Sequence, residues 1–387
     1  MRRVVIASYR RTPFVKFAGV FQGFSAVELG TIAAKAAIAD AGISPSEIDY
    51  VVAGQVLQGL AGQNPARQTA VAVDVPWGVP SVTINAVCLS GTEAVVFGAR
   101  LIATGERDVV LVVGQESMSQ APHAAKLRSG SKYGALELLD TVEQDGLTDA
   151  FSKSSMGVIT DAENLRLGLT REEQDEWALR SHQLAEQSME FLSAEIVPVD
   201  AGKNGVISAD NGPRFSTTAE SLAGLRPAFS ATGTITAGNA SQITDGAAAI
   251  VLMSAETAER LKLKPIAEVL SHAQVGGPDA TLQSQPANAI QAALKKVDLK
   301  PSQLESVEIN EAFAGVTAAS VSQLGISKEI VNPHSGAIAL GHPIGASGTR
   351  IVGHLARSLA ALGPGKIGAV GICGGGGQGS AVILKAL

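Results

Sequence analysis

The first and last thirds of the chain repeat each other. The pattern Ile43-x-Pro45-Ser46 recurs as Leu299-x-Pro301-Ser302, so position 45 corresponds to position 301, an offset of 256 residues. The triplet Ser-Gly-Thr at 90–92 recurs at 347–349, so position 90 corresponds to position 347, an offset of 257 residues. Two matches at nearly one offset indicate a duplicated structural unit.

Each copy has a pattern of alternating helices and strands. Ser25 and Glu28 form a capping-box pattern that predicts a helix running to about Asp40, and Gly42 is placed to end it. The uniformly apolar run 109–113 predicts a strand buried on both faces. The remaining elements predicted are strands at 50–56 and 82–84 and a helix at 91–104 in the first copy, and strands near 307–309, 367–372 and 381–384 in the second. The sequence therefore predicts an α/β fold made of two related units.

The residues between the copies, from about 119 to 242, have a different character. They contain polar turns, Gly/Asn/Asp clusters such as 201–205, and a charged helix with a capping box at Thr170 and Glu173. The apolar run 247–253 then predicts a strand that returns to the first unit. We therefore expect an inserted segment that covers one end of the first unit.

Composition narrows the class of protein. The 387 residues are 45% apolar and 17% charged, which is ordinary for an enzyme with two or three core-sized units. Two cysteines exclude a disulfide framework and suit a reducing compartment. No stretch approaches the roughly 18 apolar residues of a membrane span, and the apolar run at 4–7 is too short for a signal peptide. We expect a cytoplasmic protein without a membrane partner, and the net charge of −6 argues against nucleic acid as a partner.

Both cysteines and one histidine stand in glycine-flanked turns, which predicts that their side chains are exposed. The turns are Val87–Gly91 around Cys88, Gly341–Gly348 around His342, and Ile372–Gly377 around Cys373. Singly, each has a plain alternative, since a free cysteine is usually a small buried hydrophobe and a glycine cluster is usually a turn. Together they indicate covalent cysteine chemistry on a small acyl group.

The surroundings suggest different tasks for the two thiols. Cys88 precedes a helix that starts near Gly91, where free amides and the helix dipole stabilise an anion. Since a free thiol titrates near ~8.5, we expect these amides and His342 as base to populate the Cys88 thiolate at neutral pH. Cys373 is suited to removing a proton from the α-carbon of a thioester or to returning one to a leaving thiolate. The glycines after it leave backbone N–H groups free to bind an oxyanion.

A polar pair follows one of the predicted buried strands. Asn310 and Glu311 come directly after the strand at 307–309, so they lie at its carboxyl end, the usual ligand-facing edge of such a sheet. The alternative is an ordinary Asn/Glu turn.

Taken together, these motifs resemble the thiolase family, of the acetyl-CoA acetyltransferase type, over nearly the full length of the chain. The motifs that carry the resemblance are Arg11-Thr12-Pro13-Phe14, Cys88-x-Ser90-Gly91, Glu116-Ser117-Met118-Ser119, Gly238-Asn239-Ala240-Ser241, Asp245-Gly246-Ala247-Ala248-Ala249, Asn310-Glu311-Ala312-Phe313, Gly341-His342-Pro343-Ile344-Gly345-Ala346-Ser347-Gly348 and Cys373-x-Gly375-Gly376-Gly377.

The resemblance implies an α/β fold of the thiolase kind. Two βαβαβαββ halves would stack as a five-layer α-β-α-β-α core with an inserted loop domain that carries coenzyme A. The implied units are an N-terminal half at 1–118 and 243–264, a loop domain at 119–242 and a C-terminal half at 265–387. The stretch 122–146 resembles a tetramerisation loop, which implies a homotetramer.

The resemblance also implies roles for individual residues. Cys88 would become acylated with His342 as its base, and Cys373 would act as the acid and base at the α-carbon. One oxyanion hole would use the backbone N–H groups of Cys88 and Gly375, and the other His342 and a water held by Asn310. The implied reaction is the reversible condensation of two acetyl-CoA molecules to acetoacetyl-CoA and CoA. The alternative is a broader-specificity 3-ketoacyl-CoA thiolase of β-oxidation.

Acyl-CoA is the implied substrate, with no permanently bound cofactor and no metal. Arg214 and Ser221 match positions that meet the nucleotide end of coenzyme A, where a guanidinium suits phosphates and adenine, and Ser241 matches a contact to the pantetheine arm. The residues that correspond to pocket walls are Leu147, Met156, Ala312 and Phe313.

Two positions depart from the family pattern. Ser155 stands where many acetoacetyl-CoA thiolases have histidine, which weakens the expectation of strict four-carbon specificity. Ser335 replaces the first glycine of a Gly-Gly pair near His342, which leaves the turn geometry open.

Three alternative functions were considered. A β-ketoacyl synthase generally lacks a second cysteine, so Cys373 argues against it. The presence of Cys88, His342 and Cys373 together argues against a thiolase-like carrier protein without catalytic activity. A nicotinamide dehydrogenase would need a Gly-rich fingerprint that the residues after Ile6 lack.

Overall fold

The computed structural model describes residues 1–128, 130 and 132–387. Its strands in chain order are β1 (Val4–Arg11), β2 (Val15–Lys16), β3 (Tyr50–Gly54), β4 (Ser81–Ile84), β5 (Val109–Glu116), β6 (His123–Ala124), β7 (Leu139–Asp140), β8 (Val199–Asp200), β9 (Val206–Ile207), β10 (Thr244–Ser254), β11 (Ala267–Gly276), β12 (Ser306–Ile309), β13 (Ile367–Gly374) and β14 (Gln378–Ala386).

The helices lie mainly between these strands. They are α1 (Ala26–Ala41), α2 (Pro65–Ala72), α3 (Ser90–Ala103), α4 (Met156–Leu167), α5 (Arg171–Gln187), α6 (Met189–Ser193), α7 (Ala219–Ala223), α8 (Ala255–Arg260), α9 (Gln285–Lys295), α10 (Ala314–Leu324), α11 (Ala337–Leu340) and α12 (Ser347–Leu362). Short 3₁₀ helices occur at Pro45–Glu47, Met118–Gln120, Gly202–Asn204, Pro301–Gln303 and Lys328–Ile330, and a π-helix at Val142–Leu147.

The large mixed sheet has two halves with the same strand order. The first half runs β1-β10-β5-β3-β4 and the second β11-β14-β13-β12. In each half the first pairing is antiparallel and the pairing of β3 with β5, or of β12 with β13, is parallel. A parallel bridge between Val307 and Val331 in the second half takes the place of the β3–β4 pairing. The duplication predicted from the repeated sequence is therefore confirmed, and each half follows the order βαβαβαββ.

The two halves meet in a layered core. Helix α12 contacts strands of both halves, and α3 packs beside it, so these two helices form the central layer. Helix α1 packs on β1, β5 and β10 of the first half, whereas α9 packs on β11, β13 and β14 of the second. Strands β1 and β11 pair antiparallel over three residues, Val4–Ile6 with Ala267–Val269. The layer order is α-β-α-β-α, as expected for the thiolase fold.

The repeated Ser-Gly-Thr triplets lie where the two central helices touch. A Cβ atom on Gly348 would lie 2.2 Å from the backbone nitrogen of Thr92, and one on Gly91 would lie 2.6 Å from the backbone nitrogen of Thr349. Only glycine permits this approach, and the Thr349 hydroxyl donates a 3.1 Å hydrogen bond to the Gly91 carbonyl. The segments that precede α3 and α12 are thereby brought to the same place, although they are far apart in sequence.

The predicted helix caps are confirmed. Ser25 and Glu28 form the capping box of α1, and Gly42 ends this helix with a φ of +69°. Thr170 and Glu173 form the corresponding box of α5. These local hydrogen bonds satisfy amide groups that the first turn of a helix leaves free.

The inserted segment lies against both halves of the sheet, with its helices on the second half and its short strands β8 and β9 on the first. Helix α5 packs on α10 and α11, where the Trp177 indole and the Ser181 hydroxyl donate hydrogen bonds to Glu311 at 2.9 and 2.8 Å. Contacts to the first half include a buried ion pair of 2.5 Å between Arg11 and Glu195, a backbone hydrogen bond between the same two residues, and Val199 of β8, which packs in the core of the first half. The expected contact with the first unit is therefore present, and Glu311, which comes from the second copy, adds an anchor for α5. Within the described residues, no helix is long and apolar enough to cross a membrane.

Candidate active site

The three groups singled out in the sequence meet in one small cavity. Cys88 lies in the turn before α3, His342 in the loop before α12, and Cys373 near the end of β13. With Gly375 they line a cavity of about 60 Å³. Asn310, at the end of β12, is buried beside His342. The approach of α3 to α12 explains why the thiol from one half faces the imidazole from the other.

The turn that carries Cys88 holds an unfavourable backbone conformation. Val87 has a φ of +51°, which is costly for a β-branched side chain. The hydroxyl of Ser90 accepts a 2.9 Å hydrogen bond from the amide of Ala86 and donates one of 2.6 Å to the carbonyl of Val87. These two bonds bridge the turn and keep Cys88 directed into the cavity.

The surroundings keep Cys88 and His342 neutral at rest. Burial raises the pKa of the Cys88 thiol to about 11, although the hydrogen bond from the Gly375 amide acts in the opposite direction. Burial also lowers the pKa of His342 to about 4. The expected thiolate at neutral pH was therefore wrong, because loss of water outweighs the amide groups.

The prediction that these turns expose their side chains was also wrong for two of them. His342 is buried, with 6% exposure, and Cys373 is fully buried within β13, whereas Cys88 is partly exposed. Burial raises the pKa of Cys373 well above its usual value, and the neighbouring Cys88 adds to the rise. The glycines near these residues permit close packing of the chain around the cavity.

The hydrogen bonds of His342 assign its two ring nitrogens. The Ser347 hydroxyl donates to the Pro343 carbonyl at 3.0 Å, so its oxygen accepts a hydrogen bond from Nδ1 of His342 at 2.6 Å. Nε2 then carries the lone pair and lies 3.4 Å from the side-chain nitrogen of Asn310. A ring held in this tautomer presents a base to the cavity.

The small cavity opens beside a much larger one. The second cavity has a volume of about 710 Å³, within the range that binds organic ligands. The residues that line both cavities are Leu147, Met156, Ser241, Phe313, His342 and Ile344. Ala312 lines the small cavity only. The structure thus brings Ser241 and the four expected pocket walls to the site.

Arg214 and Ser221 lie apart from these cavities. Both residues are exposed on the surface and line neither the small nor the large cavity. The hydroxyl of Ser221 accepts a 3.0 Å hydrogen bond from the Thr218 amide at the start of α7. The geometry therefore does not bring this pair to the thiols.

Asn310 and Glu311, the polar pair after β12, have different roles in the structure. Asn310 faces His342, and its side-chain oxygen is buried without a hydrogen-bond partner among the described residues. Glu311 anchors neighbouring segments and accepts a further 2.9 Å hydrogen bond from Asn332. Of the two sequence interpretations, the ligand-facing edge applies to Asn310, whereas Glu311 supports the fold.

Two serines near the site were not explained by the sequence. Ser347 was given no role, and the effect of Ser335 on its turn was left open. Ser347 orients His342, and its position at the start of α12 was the available signal. Ser335 adopts a φ of +104°, a conformation that favours glycine. Its hydroxyl donates a 2.9 Å hydrogen bond to the Ser181 carbonyl, which fixes the turn that the sequence left uncertain.

Comparisons with known proteins identify the family. The model of the thiolase N-terminal domain matches residues 4–256, and that of the thiolase C-terminal domain matches residues 263–386. The chain belongs to the thiolase family. It is therefore an acyltransferase, and coenzyme A is a substrate or product of this family's reaction.

Individual relatives agree with this family assignment. A probable acetyl-CoA acetyltransferase of Mycobacterium tuberculosis is 49% identical over 393 residues and covers 100% of both chains. One from Escherichia coli is 42% identical over 393 residues, covering 100% of this thiolase and 99% of the relative. A crystal structure of an Ascaris suum thiolase in complex with coenzyme A has a TM-score of 0.94 at 38% identity, covering 100% of both chains. The acetyl-CoA acetyltransferase of Bacillus anthracis has a TM-score of 0.95 at 37% identity, covering 100% and 99%.

Proposed function

We propose that the protein is an acetyl-CoA C-acetyltransferase that condenses two acetyl-CoA molecules to acetoacetyl-CoA and CoA, and catalyses the reverse thiolysis. The meeting of two thiols and one imidazole in a cavity of about 60 Å³ carries the proposal. The names of the relatives support the acetyl group as the one transferred. The Ascaris suum complex supports coenzyme A as a ligand, and the adjoining cavity of about 710 Å³ is proposed to hold it.

Acylation starts from neutral Cys88 and neutral His342. The Cys88 sulfur attacks the thioester carbonyl while Nε2 of His342 takes the thiol proton, and the carbonyl oxygen is bound by the N–H groups of Cys88 and Gly375. The bond to the CoA sulfur then breaks, and Cys373 gives its proton to the leaving CoA thiolate. The products are acetyl-Cys88, an imidazolium, a Cys373 thiolate and free CoA.

Condensation then uses the charges that acylation leaves behind. The Cys373 thiolate removes an α-proton from the second acetyl-CoA, whose thioester oxygen is bound by His342 and by a water held by Asn310. The carbanion attacks the acetyl carbonyl, and Cys88 leaves as a thiolate that His342 reprotonates. Both thiols are neutral again, which agrees with the raised pKa of Cys88 and of Cys373 at rest.

Mixing the protein with acetoacetyl-CoA and CoA tests this function. We expect the enolate absorbance of acetoacetyl-CoA to fall and two acetyl-CoA molecules to form for each one consumed. A protein that binds acetoacetyl-CoA without consuming it would contradict the proposal. A preference for longer 3-ketoacyl-CoA substrates would favour the broader thiolase of β-oxidation.

Ser155 offers a direct test of chain-length specificity. It caps α4 through a 3.3 Å hydrogen bond from the Val158 amide and lines the large cavity beside Met156. A serine leaves space that an imidazole would fill, and a methylene-sized difference in a pocket is worth roughly 1–3 kcal/mol. We expect cleavage of five- and six-carbon substrates alongside acetoacetyl-CoA, and Ser155→His should lower kcat/KM for the longer ones by about tenfold or more relative to acetoacetyl-CoA.

A matched variant separates pocket size from helix capping. Ser155→Ala loses the capping hydrogen bond, at a cost of about 1 kcal/mol in stability, but adds no bulk to the cavity. It should therefore keep the parent's chain-length profile. If Ser155→His also keeps that profile, Ser155 does not determine specificity.

Arg214 is proposed to bind the nucleotide end of coenzyme A, together with Ser221. Because charge-assisted hydrogen bonds contribute about 1.5–3 kcal/mol, Arg214→Ala should raise the KM for acetyl-CoA about tenfold or more and leave turnover of a short pantetheine thioester nearly unchanged. Arg260→Ala is the control, since Arg260 is exposed on α8 and pairs with Glu47. Equal losses with both substrates would argue against this placement.

The domain limits, assembly and location are further parts of the proposal. We propose the units 1–118 with 243–264, 119–242, and 265–387, and a cytoplasmic homotetramer joined through the stretch 122–146. In that stretch β6 pairs with β7, and the side chains of Leu127, Leu136 and Leu138 are exposed, which is typical of an interaction surface. Ser129 and Ser131 lie outside the described residues. The name of a Gibberella zeae relative, a cytosolic acetyl-CoA acetyltransferase 42% identical, supports the location.

A further inference from the structure

A buried carboxylate ties the two halves together next to the site. Glu116, at the end of β5, is fully buried and forms no ion pair with the described residues. Its Oε2 atom accepts hydrogen bonds of 2.9 Å from the amides of Val56 and Gly345, and its Oε1 atom accepts one of 3.2 Å from Leu57. Val56 and Leu57 follow β3 of the first half, whereas Gly345 belongs to the loop that carries His342.

The loop of His342 lies so close to this carboxylate that a side chain would not fit. A Cβ atom on Gly345 would lie 2.7 Å from Oε2 of Glu116 and 2.9 Å from both the Gln115 carbonyl oxygen and the Gln55 Cα atom. Ile344, next in the chain, lines the cavity that contains Cys88. One acceptor group therefore joins the His342 loop to the first half, beside the contact of α3 with α12.

We propose that Glu116 is a positioning residue whose carboxylate holds the His342 loop against the segment after β3 and thereby aligns the imidazole with Cys88. In this respect the inference rests on the proposed acylation of Cys88 with His342 as base. Glu116 neither transfers a proton to or from a thiol nor contacts the substrate. It acts through the three backbone amides that it binds.

Glu116 also acts on Cys88 through its charge. Burial raises the pKa of Glu116 to about 7, while the three amides lower it. The ionised carboxylate in turn adds to the raised pKa of Cys88. The titratable groups facing Glu116 are Cys88, before α3, and Asp245 on β10, whose own pKa is raised by burial. Removing the charge at position 116 should therefore make the Cys88 thiol more acidic.

Glu116→Gln separates positioning from charge. Glutamine has the same size but replaces one acceptor oxygen with an amide that faces backbone N–H donors. We expect acylation by acetyl-CoA to slow about 10- to 100-fold, as for a displaced catalytic group. Amide hydrogen exchange should become faster in 341–347 and 55–57, and the pH profile of Cys88 alkylation by iodoacetamide should shift to lower pH. A more acidic but slower nucleophile is not expected from general loss of stability.

Glu93→Gln is the matched control. Glu93 is another buried carboxyl, but it accepts its hydrogen bond from Ser380 on β14 at 2.7 Å, and the variant should retain the parent's exchange pattern and alkylation profile. Gly345→Ala disturbs the same contact by adding a methyl group next to the carboxylate, and it should slow acylation. Because this variant keeps the charge of Glu116, the pH profile of Cys88 alkylation should not shift to lower pH.

The outcomes distinguish this inference from the proposed function. If amide hydrogen exchange at 341–347 in Glu116→Gln is as slow as in the parent, the positioning role is wrong. It is also wrong if both Glu116→Gln and Gly345→Ala are acylated at the parent's rate. If the parent protein itself is not acylated at Cys88, the proposed function fails. The exchange and alkylation measurements, which need no substrate, then still decide whether Glu116 holds the loop.

Discussion

Cys373→Ala is expected to retain acylation of Cys88 but to lose condensation by about 10²- to 10⁴-fold, the usual contribution of a general base. His342 still takes the Cys88 proton in this variant, and CoA leaves as a thiolate that water protonates in place of Cys373, so the first acetyl group is still transferred, although more slowly. No thiolate then remains to remove the α-proton of the second acetyl-CoA. Exchange of acetyl-CoA α-protons in deuterated water, measured by NMR or mass spectrometry, should therefore fall in parallel with condensation.

The control for this variant is its folded state. Cys373 is fully buried, and removing its sulfur creates a small cavity that lowers stability, so thermal melting must show that the variant is folded at the assay temperature. Acyl-enzyme formation provides a second control in the same sample. Full α-proton exchange in the folded variant would show that another base performs this step.

Cys88→Ser is expected to lower both thiolysis and condensation by roughly a thousandfold or more, as loss of a covalent nucleophile does. The hydroxyl occupies nearly the same space, so the cavity and the turn at Val87 should persist. A hydroxyl is a much weaker nucleophile than a thiol, and the neutral His342 is its only base in the account. Initial rates in both directions check this expectation.

Rates within about tenfold of the parent would contradict a covalent role for Cys88. Substrate binding provides the control, because Cys88→Ser should bind coenzyme A as the parent does. Loss of binding together with loss of turnover would indicate damage to the cavity, and Ser90→Ala, which removes the bridge between Ala86 and Val87, would then show whether the turn is the weak point.

Much of the fold could be predicted because its causes are local or repeated in the sequence. The capping boxes at Ser25 and Thr170 mark helix starts through contacts within four residues. The two Ser-Gly-Thr triplets indicated the duplication, and they lie at the close contact of α3 with α12. Strand β11, Ala267–Gly276, was not predicted, because its mixed polar and apolar residues lack the continuous apolar run of β5.

The identity of the reacting groups could be predicted, but their ionisation could not. Cys88, His342 and Cys373 are recognisable from scarce residue types in unusual turns. Their pKa values depend on burial by segments from both halves of the chain, and this tertiary property reversed the expected thiolate at Cys88. The tasks of Ser347 and Glu311 likewise depend on which atoms their oxygens meet after folding.

The position of the first acyl group tests the proposed mechanism directly. The protein is exposed briefly to labelled acetyl-CoA, quenched in acid, digested and mapped by mass spectrometry. We predict the label on the peptide that contains Cys88 and none on the peptide that contains Cys373, and we expect free CoA added before the quench to remove the label. Label on Cys373, or a label at Cys88 that CoA does not remove, would contradict the assignment of Cys88 as the acylated nucleophile.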